Sequence, residues 1–277
     1  MNAFDDMLSR YACQHTDDKL NAIREVMQQV TLSALAESGF FEKAVFYGGT
    51  CLRIFHGLQR FSEDMDFSLR ASTPNFDPSP YLESITKVFS SLGQHVDVAP
   101  KKKTKQSAIQ SAFLKSDTSQ YDLSLERGRL ITIKLEIDTD PPLSFDSEQK
   151  LLLQPRAFFS SCMTLPCLFA GKMHALLFRN WQNRVKGRDW YDFAWYISKG
   201  IPLNFTHFLA RTAQFHSLPN QALTIAQFRD LLRQKIATVN LDSAKADVAP
   251  FIANPHELDI WSTDYFLQLT DLMQIQS

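Results

Sequence analysis

Two aspartates two residues apart, Asp64 and Asp66, are the residues whose types and spacing point most directly to chemistry in this chain. On an extended strand, side chains alternate between faces, so both carboxylates are predicted to share one side, opposite Met65 and Phe67. Two carboxylates about 4 to 5 Å apart repel by roughly 4 kcal/mol at an effective dielectric constant of about 20, unless a cation lies between them. Mg²⁺ prefers oxygen ligands and keeps part of its shell for water and substrate phosphates. The pair therefore indicates half of a metal–nucleotide site.

A double-glycine turn with a hydroxyl residue precedes the acidic pair. Gly48, Gly49 and Thr50 stand between an expected strand at 44–47 and an expected helix at 51–56. Glycines let the backbone turn sharply and approach a phosphate, and the free amides of a helix N-terminus favour an anion. Thr50 could cap that helix or offer its hydroxyl to a triphosphate. The chain has neither the Gly-Lys-Ser/Thr of a P-loop nor a G-x-G-x-x-G run. The alternative is a plain tight turn beside a solvated acidic strand.

The run GGTCLR followed by GLQRFSEDMDF resembles the signature of the AbiEii/AbiGii toxin family of nucleotidyltransferases, a branch of the polymerase-β-like superfamily. In that family a glycine–glycine–serine/threonine turn precedes an aspartate-x-aspartate strand. Threonine at position 50, where serine is common, keeps the hydroxyl. The resemblance implies an α/β fold with a mixed-sheet polymerase-β-like lobe. The residue pattern turns helical beyond about residue 150, which places this lobe at 1–150 and a mainly helical lobe at 151–277. Residues 140–154 read as the linker.

A third carboxylate on a neighbouring strand commonly completes a two-metal site for phosphoryl transfer. In the expected strand at 131–138, isoleucines and leucine alternate with Thr132, Lys134, Glu136 and Asp138, so one face again concentrates acids. Glu136 is the first choice for this carboxylate and Asp138 the second. An exposed strand face with alternating lysine and glutamate is the alternative.

A second block, LFAGKMHALLFRNWQNRVKGRDWYDFAWYI, places Lys172 in an otherwise apolar helix. A buried ammonium is costly unless it is paired, so Lys172 either forms an interhelical ion pair with Asp189 or Asp192, or faces a ligand. The family resemblance matches this lysine and an R-D-x-x-D motif at Arg188, Asp189 and Asp192. It implies that Lys172 binds the nucleotide phosphates and that the aspartates have catalytic or base-positioning roles.

Basic residues suggest where an acceptor polynucleotide could bind. Arginine and lysine side chains interleaved with Trp181 and Trp190 form a candidate RNA-binding patch. The alternative is a surface turn around Gly187. A second basic run, at 101–105, reads either as a solvated hairpin or as a contact with RNA phosphates. The candidate RNA-binding patch beside the two tryptophans consists of Arg179, Arg184, Lys186 and Arg188.

Composition narrows the class of protein further. The net charge of −1 excludes a protein that coats nucleic acid with a generally basic surface, although it does not exclude local basic patches. The four cysteines show no C-x-x-C spacing and read as reduced thiols. No signal peptide and no membrane-spanning segment is recognisable, so a cytoplasmic protein is expected.

The resemblance also implies a biological role. Family members are toxins of toxin–antitoxin pairs, some of which add nucleotides to the 3′ end of tRNA, and several act in abortive infection against phage. A Mg²⁺ cofactor, an NTP substrate, a cognate antitoxin and an RNA acceptor are therefore expected. The alternatives are transfer to a small molecule or a protein, and a non-catalytic nucleotide- or RNA-binding module.

Overall fold

The computed structural model of the chain describes residues 2–13, 15–100, 108–117, 130–179, 185–216 and 223–277. By its spatial contacts the chain forms two compact units. The first comprises Met1–Gly57, Phe61–Pro141 and Ser147–Cys162, and the second Leu58–Arg60, Pro142–Asp146 and Met163–Ser277. Compact units need not fold independently, so the domain boundary near residue 150 stays a prediction.

The first unit is built on a seven-stranded sheet with the strand order β3-β4-β5-β2-β1-β7-β6. Strand β2 pairs antiparallel with β1 and parallel with β5, and β1 pairs parallel with β7, so the sheet is mixed. The mixed-sheet α/β fold expected from the sequence is confirmed. The strands are β1 (Ala44–Tyr47), β2 (Met65–Leu69), β3 (Asp97–Pro100), β4 (Ile109–Asp117), β5 (Leu130–Asp138), β6 (Ser147–Leu152) and β7 (Phe158–Met163).

One face of the central strands forms the core of this unit. Met65 and Phe67 on β2 and Leu135 and Ile137 on β5 are buried, as their alternation with polar residues predicts. The ring of Phe67 lies 5.1 Å from that of Phe46 on β1. Because this face is filled by apolar side chains, the polar residues that alternate with them are left to the other face.

Helices complete the first unit. The 22-residue helix α2 has most of its residues after the first turn buried, and it contacts α5, where the Ser84 hydroxyl donates a hydrogen bond to the carbonyl of Ala34. Helix α4 follows β1 directly and begins at Gly48. The helices are α1 (Ala3–Leu8), α2 (Thr16–Glu37), α3 (Phe40–Lys43), α4 (Gly48–His56) and α5 (Ser79–Ser91).

The second unit is mainly helical, as expected, and its core is aromatic. Phe169 stacks on Tyr196 with ring centroids 4.4 Å apart, and Trp190 meets Phe266 edge-on at 5.0 Å. A short parallel pair, β8 (Leu203–Asn204) with β9 (Ile275–Gln276), closes the unit near its C-terminus. The helices are α6 (Leu165–Phe178), α7 (Gly187–Ser198), α8 (Phe205–His216), α9 (Ile225–Thr238), α10 (Leu241–Val248) and α11 (Thr263–Leu272), with 3₁₀ turns at Ala249–Phe251 and Pro255–Leu258.

The linker expected at 140–154 is wrong in part, because this range contains the edge strand β6. None of the side chains of β6 is fully buried, so the strand lacks the apolar alternation by which strands are recognised. The basic run at 101–105 lies outside the described residues. Within the described ranges, no helix is both long and apolar enough to cross a bilayer.

Candidate active site

The glycine turn lies directly against the second aspartate of the acidic pair. Gly48 follows β1 with φ +85°, a left-handed conformation that side chains rarely adopt. A Cβ at this position would stand 3.1 Å from the Cγ of Asp66 and closer still to its Oδ2. Tyr47 is opposite Asp66 in the β1–β2 register. The expected phosphate-binding turn and the acidic strand are therefore adjacent, and only glycine fits between them.

Thr50 connects the turn to the first aspartate. Its side chain is fully buried, and its hydroxyl donates a hydrogen bond to the backbone carbonyl of Asp64. The capping role considered for Thr50 is wrong, because α4 begins at Gly48 and Tyr47 is the N-cap residue. Its role as a triphosphate ligand stays a prediction, and donating to a phosphate would require the hydroxyl to leave the Asp64 carbonyl. Gly49 is partly exposed in the first turn of α4.

Asp66 and Glu136 share the polar face of the sheet. Asp66 on β2 is the register partner of Glu136 on the adjacent parallel strand β5, so both side chains lie on one face, and both are partly exposed. Asp64 stands one residue before β2 and is also partly exposed. Asp138 is buried and accepts a hydrogen bond from the backbone nitrogen of Asp140 at 3.2 Å. This geometry favours Glu136 over Asp138 as the third carboxylate.

Glu136 already has a cationic partner in the protein. The Nζ of Lys134, two residues earlier on β5, lies 2.6 Å from Glu136 Oε1, and both side chains are about a third exposed or less. The alternation of lysine and glutamate considered for this strand is thus a real ion pair. A divalent cation bound to Glu136 would compete with the Lys134 ammonium.

The oxygen atoms of these carboxylates are the ligand type that a hard divalent cation prefers. Asp66 and Glu136 offer oxygen ligands from neighbouring strands, and Mg²⁺ would take its remaining ligands from water and phosphate. No three His, Cys, Asp or Glu side chains in the described part of the chain are grouped closely enough to hold a metal ion. The site with Asp64 as a further ligand stays a prediction.

In the second unit, Lys172 lies between two carboxylates. Its Nζ on α6 is 2.7 Å from Asp189 Oδ1 and 2.8 Å from Asp192 Oδ2, both on α7. Asp192 also receives two hydrogen bonds of 2.6 Å from the Nε and Nη2 of Arg60. The interhelical ion pair considered for Lys172 is present, with both aspartates. We call Arg60, Lys172, Asp189 and Asp192 the charge cluster.

Burial and charge oppose each other in the charge cluster. Burial alone would raise the pKa of Asp192, but the charges of Arg60 and Lys172 outweigh it and hold the pKa of this carboxyl below its usual range. Burial alone would lower the pKa of Lys172, but Asp189 and Asp192 raise it above the ordinary value. Lys172 and Asp192 are therefore both charged at neutral pH.

Sequence reasoning missed Arg60, although it stands in the R-F-S-E-D run of the family signature. Its side chain is only 2% exposed, and it contacts Asp192, 132 residues further along the chain. Burial at that sequence separation cannot be read from the chain. The charges gave a weak signal that a second cation is needed, because two aspartates face the single lysine of the apolar helix.

The expected RNA-binding patch is described only in part. Arg179 is exposed just after α6, and Arg184 lies outside the described residues. Lys186 is the N-cap residue of α7, and the Arg188 guanidinium stacks over the ring of Phe251 at 4.3 Å. The role of these residues toward RNA stays a prediction.

Solved structures with a similar fold cover nearly the whole chain. JHP933 from Helicobacter pylori is 16% identical with a TM-score of 0.52, over 91% of this chain and 90% of its own. MenT4, a nucleotidyltransferase toxin from Mycobacterium tuberculosis, is 14% identical with a TM-score of 0.54, over 97% and 98%. At sequence identities this low, the similarity shows a shared fold and nothing further. The class of protein, a nucleotidyltransferase, follows from the family to which the sequence belongs.

The family follows from the sequence itself. The model of the AbiEii toxin, a nucleotidyl transferase of type IV toxin–antitoxin systems, matches residues 30–268. The chain belongs to this family, and the resemblance recognised in its motifs is confirmed. Comparison with functionally curated proteins finds no significant match.

Proposed function

We propose that the protein transfers a nucleoside monophosphate from an NTP to an RNA acceptor, namely the 3′ end of tRNA, with Mg²⁺ as cofactor. Family membership supports the transferase reaction and the NTP substrate. The observation that carries the proposal is the packing of the Gly48 turn against Asp66, beside Glu136 in the neighbouring strand. A phosphate-binding turn and a cation-binding face adjoin in one compact unit.

In this proposal the first unit holds the metal and the triphosphate. Asp64, Asp66 and Glu136 would hold Mg²⁺, which when bound neutralises triphosphate charge and favours ionisation of the acceptor hydroxyl. The amides of Gly48 and Gly49, at the N-terminus of α4, would donate to the outer phosphates. In-line attack by the acceptor oxygen on the α-phosphorus forms the new phosphodiester bond and releases pyrophosphate.

By the family resemblance, Lys172 of the charge cluster is assigned to the nucleotide phosphates. Lys172 is 14% exposed and Asp189 10%, whereas Asp192 has no exposed surface. An incoming phosphate would thus compete with Asp189 for the ammonium, while Asp192 keeps Lys172 in place. We assign Lys172 to phosphate binding, Asp189 to a catalytic role, and Asp192 to nucleotide binding through its contact with Lys172.

The acceptor and the partner follow by family analogy. Arg179, Arg184, Lys186 and Arg188 are proposed to bind the RNA backbone. A cognate antitoxin is the partner that the type IV toxin–antitoxin family implies. Modification of tRNA would stop translation, which is consistent with a cytoplasmic role in phage defence.

The test is incubation of purified protein with total tRNA, Mg²⁺ and each α-labelled NTP in turn. Asp66→Asn should abolish transfer to the tRNA 3′ end, whereas Asp97→Asn, an exposed acid on the edge strand β3, should not change it. Label that enters a protein or a small molecule instead of tRNA would refute the acceptor assignment. Absence of transfer to every acceptor tested would refute the proposed activity.

A further inference from the structure

A single buried amide on helix α2 binds the backbone that leads into the acidic pair. Gln28 is only 1% exposed, and its Nε2 donates to the carbonyl of Ser62 at 2.9 Å and to that of Glu63 at 3.1 Å. Both hydrogens of the side-chain amide are thereby used. The Thr50 hydroxyl binds the next carbonyl, that of Asp64. Three consecutive carbonyls therefore accept hydrogen bonds from buried side chains.

The segment held in this way has no regular structure of its own. Residues 61–64 belong to neither a helix nor a strand, and β2 begins only at Met65. Without a backbone ladder, their conformation depends on such side-chain donors. Helix α2 provides a rigid support because the residues around Gln28, including Met27 and Val30, are fully buried.

A glutamine at this position is better explained by its hydrogen bonds than by packing. Its neighbours along the buried face of α2 are mostly apolar, and a buried amide is unfavourable unless it is bonded. An apolar side chain would fill the same volume. What the amide adds is a fixed direction for the two carbonyls that immediately precede Asp64.

We propose that Gln28 is a positioning residue that orients Asp64 and Asp66 toward the metal and the triphosphate. This inference rests on the proposed function. It predicts that loss of the amide weakens metal binding and slows transfer, while the fold of the sheet is kept.

The test compares Gln28→Met with Gln29→Met. Gln29 is the next residue of α2, and its amide donates to the Tyr11 hydroxyl rather than to the acidic segment. Gln28→Met should lower kcat about tenfold, and the Mg²⁺ concentration for half-maximal rate should rise severalfold, with partial rescue at high Mg²⁺. Gln29→Met should match the wild type in both. Gln28→Asn, too short to reach both carbonyls, should behave like Gln28→Met and serves if the first variant does not fold.

Two further measurements are independent of catalysis. Hydrogen exchange of the 61–66 amides should be faster in Gln28→Met than in Gln29→Met, and Mn²⁺ binding followed by electron paramagnetic resonance should be weaker. Equal exchange and equal Mn²⁺ affinity in the two variants would overturn the inference. If the wild type transfers no nucleotide, the proposed activity fails, yet exchange and Mn²⁺ binding still decide the role of Gln28.

Discussion

Replacing Arg60 by methionine should destabilise the second unit by about 3 to 5 kcal/mol, the usual effect of removing one partner of a buried ion pair. The guanidinium is 2% exposed and makes two 2.6 Å hydrogen bonds to the fully buried Asp192. In the wild type, two cations balance two carboxylates. In the variant, Asp189 and Asp192 share Lys172 alone, and one buried negative charge is uncompensated.

A double variant separates charge balance from lost packing. Arg60→Met combined with Asp192→Leu leaves Lys172 with Asp189 only, as one pair of opposite charges. We expect it to be more stable than Arg60→Met by about 2 kcal/mol or more, because uncompensated charge and not lost volume causes the larger part of the defect. Arg10→Met removes an exposed ion pair with Asp6 and should change stability by less than about 0.5 kcal/mol.

Urea unfolding followed by tryptophan fluorescence suits this test. All four tryptophans, Trp181, Trp190, Trp195 and Trp261, lie in the sequence of the second unit, so fluorescence reports mainly on that unit. Far-UV circular dichroism of the same samples reports on both units and measures the Arg10→Met control in the first unit. Because the pKa of Asp192 is held low in the folded protein, its stabilisation is present above an unfolded pKa of about 4 and is lost as the pH falls through the folded value. The effect of Arg60→Met should therefore be full at pH 7 and shrink below about pH 4. A loss at pH 7 no larger than that of Arg10→Met, or a double variant as unstable as the sum of its single changes, would refute the reasoning.

Three further changes test other parts of the chain. Gly48→Ala should abolish transfer, whereas Gly57→Ala, with φ +74° but open space around it, should keep transfer and show only backbone strain of about 1 kcal/mol in a thermal melt. Lys134→Met should lower the Mg²⁺ concentration for half-maximal rate up to about fivefold, the equivalent of about 1 kcal/mol. Lys150→Met, which loses a comparable ion pair on β6, should leave this concentration unchanged. Equal shifts in the two variants would exclude competition between Mg²⁺ and the Lys134 ammonium for Glu136. Burial, together with a nearby arginine, lowers the pKa of His207 to about 3, so stability is full above the unfolded pKa of about 6.5 and is lost toward pH 3. Between pH 7 and 5 the wild type should lose about 2 kcal/mol more than His207→Leu in urea unfolding, and parallel losses would contradict this.

The parts of the fold that could be predicted are those in which the order of apolar and polar residues shows which side chains are buried. The alternation along β5 placed Ile133 and Leu135 in the core and Glu136 on the polar face, because a half-buried strand alternates with period two. Strand β6 gave no such signal, since it lies at the sheet edge and buries no side chain fully. Strand β7 was missed because its buried serines, Ser160 and Ser161, interrupt the apolar run.

The charge cluster shows the same limit in the candidate site. The sequence predicted that Lys172 needs a partner, because an ammonium within an apolar helix is costly. It could not decide how two aspartates are balanced, because the second cation comes from Arg60, which packs with residues more than a hundred positions away. Helical periodicity relates neighbours along one element and carries no information on such contacts.

The spacing of the family signature follows from packing as much as from chemistry. Thr50 binds the carbonyl of Asp64, and Gly48 leaves the space that the carboxylate of Asp66 occupies. Gly48 therefore constrains Asp66, and Thr50 constrains Asp64, so a change at either position of the turn disturbs the acidic pair. Gln28 gave no comparable signal in the sequence, because its hydrogen bonds go to backbone carbonyls, which are present whatever side chains stand at positions 62 and 63.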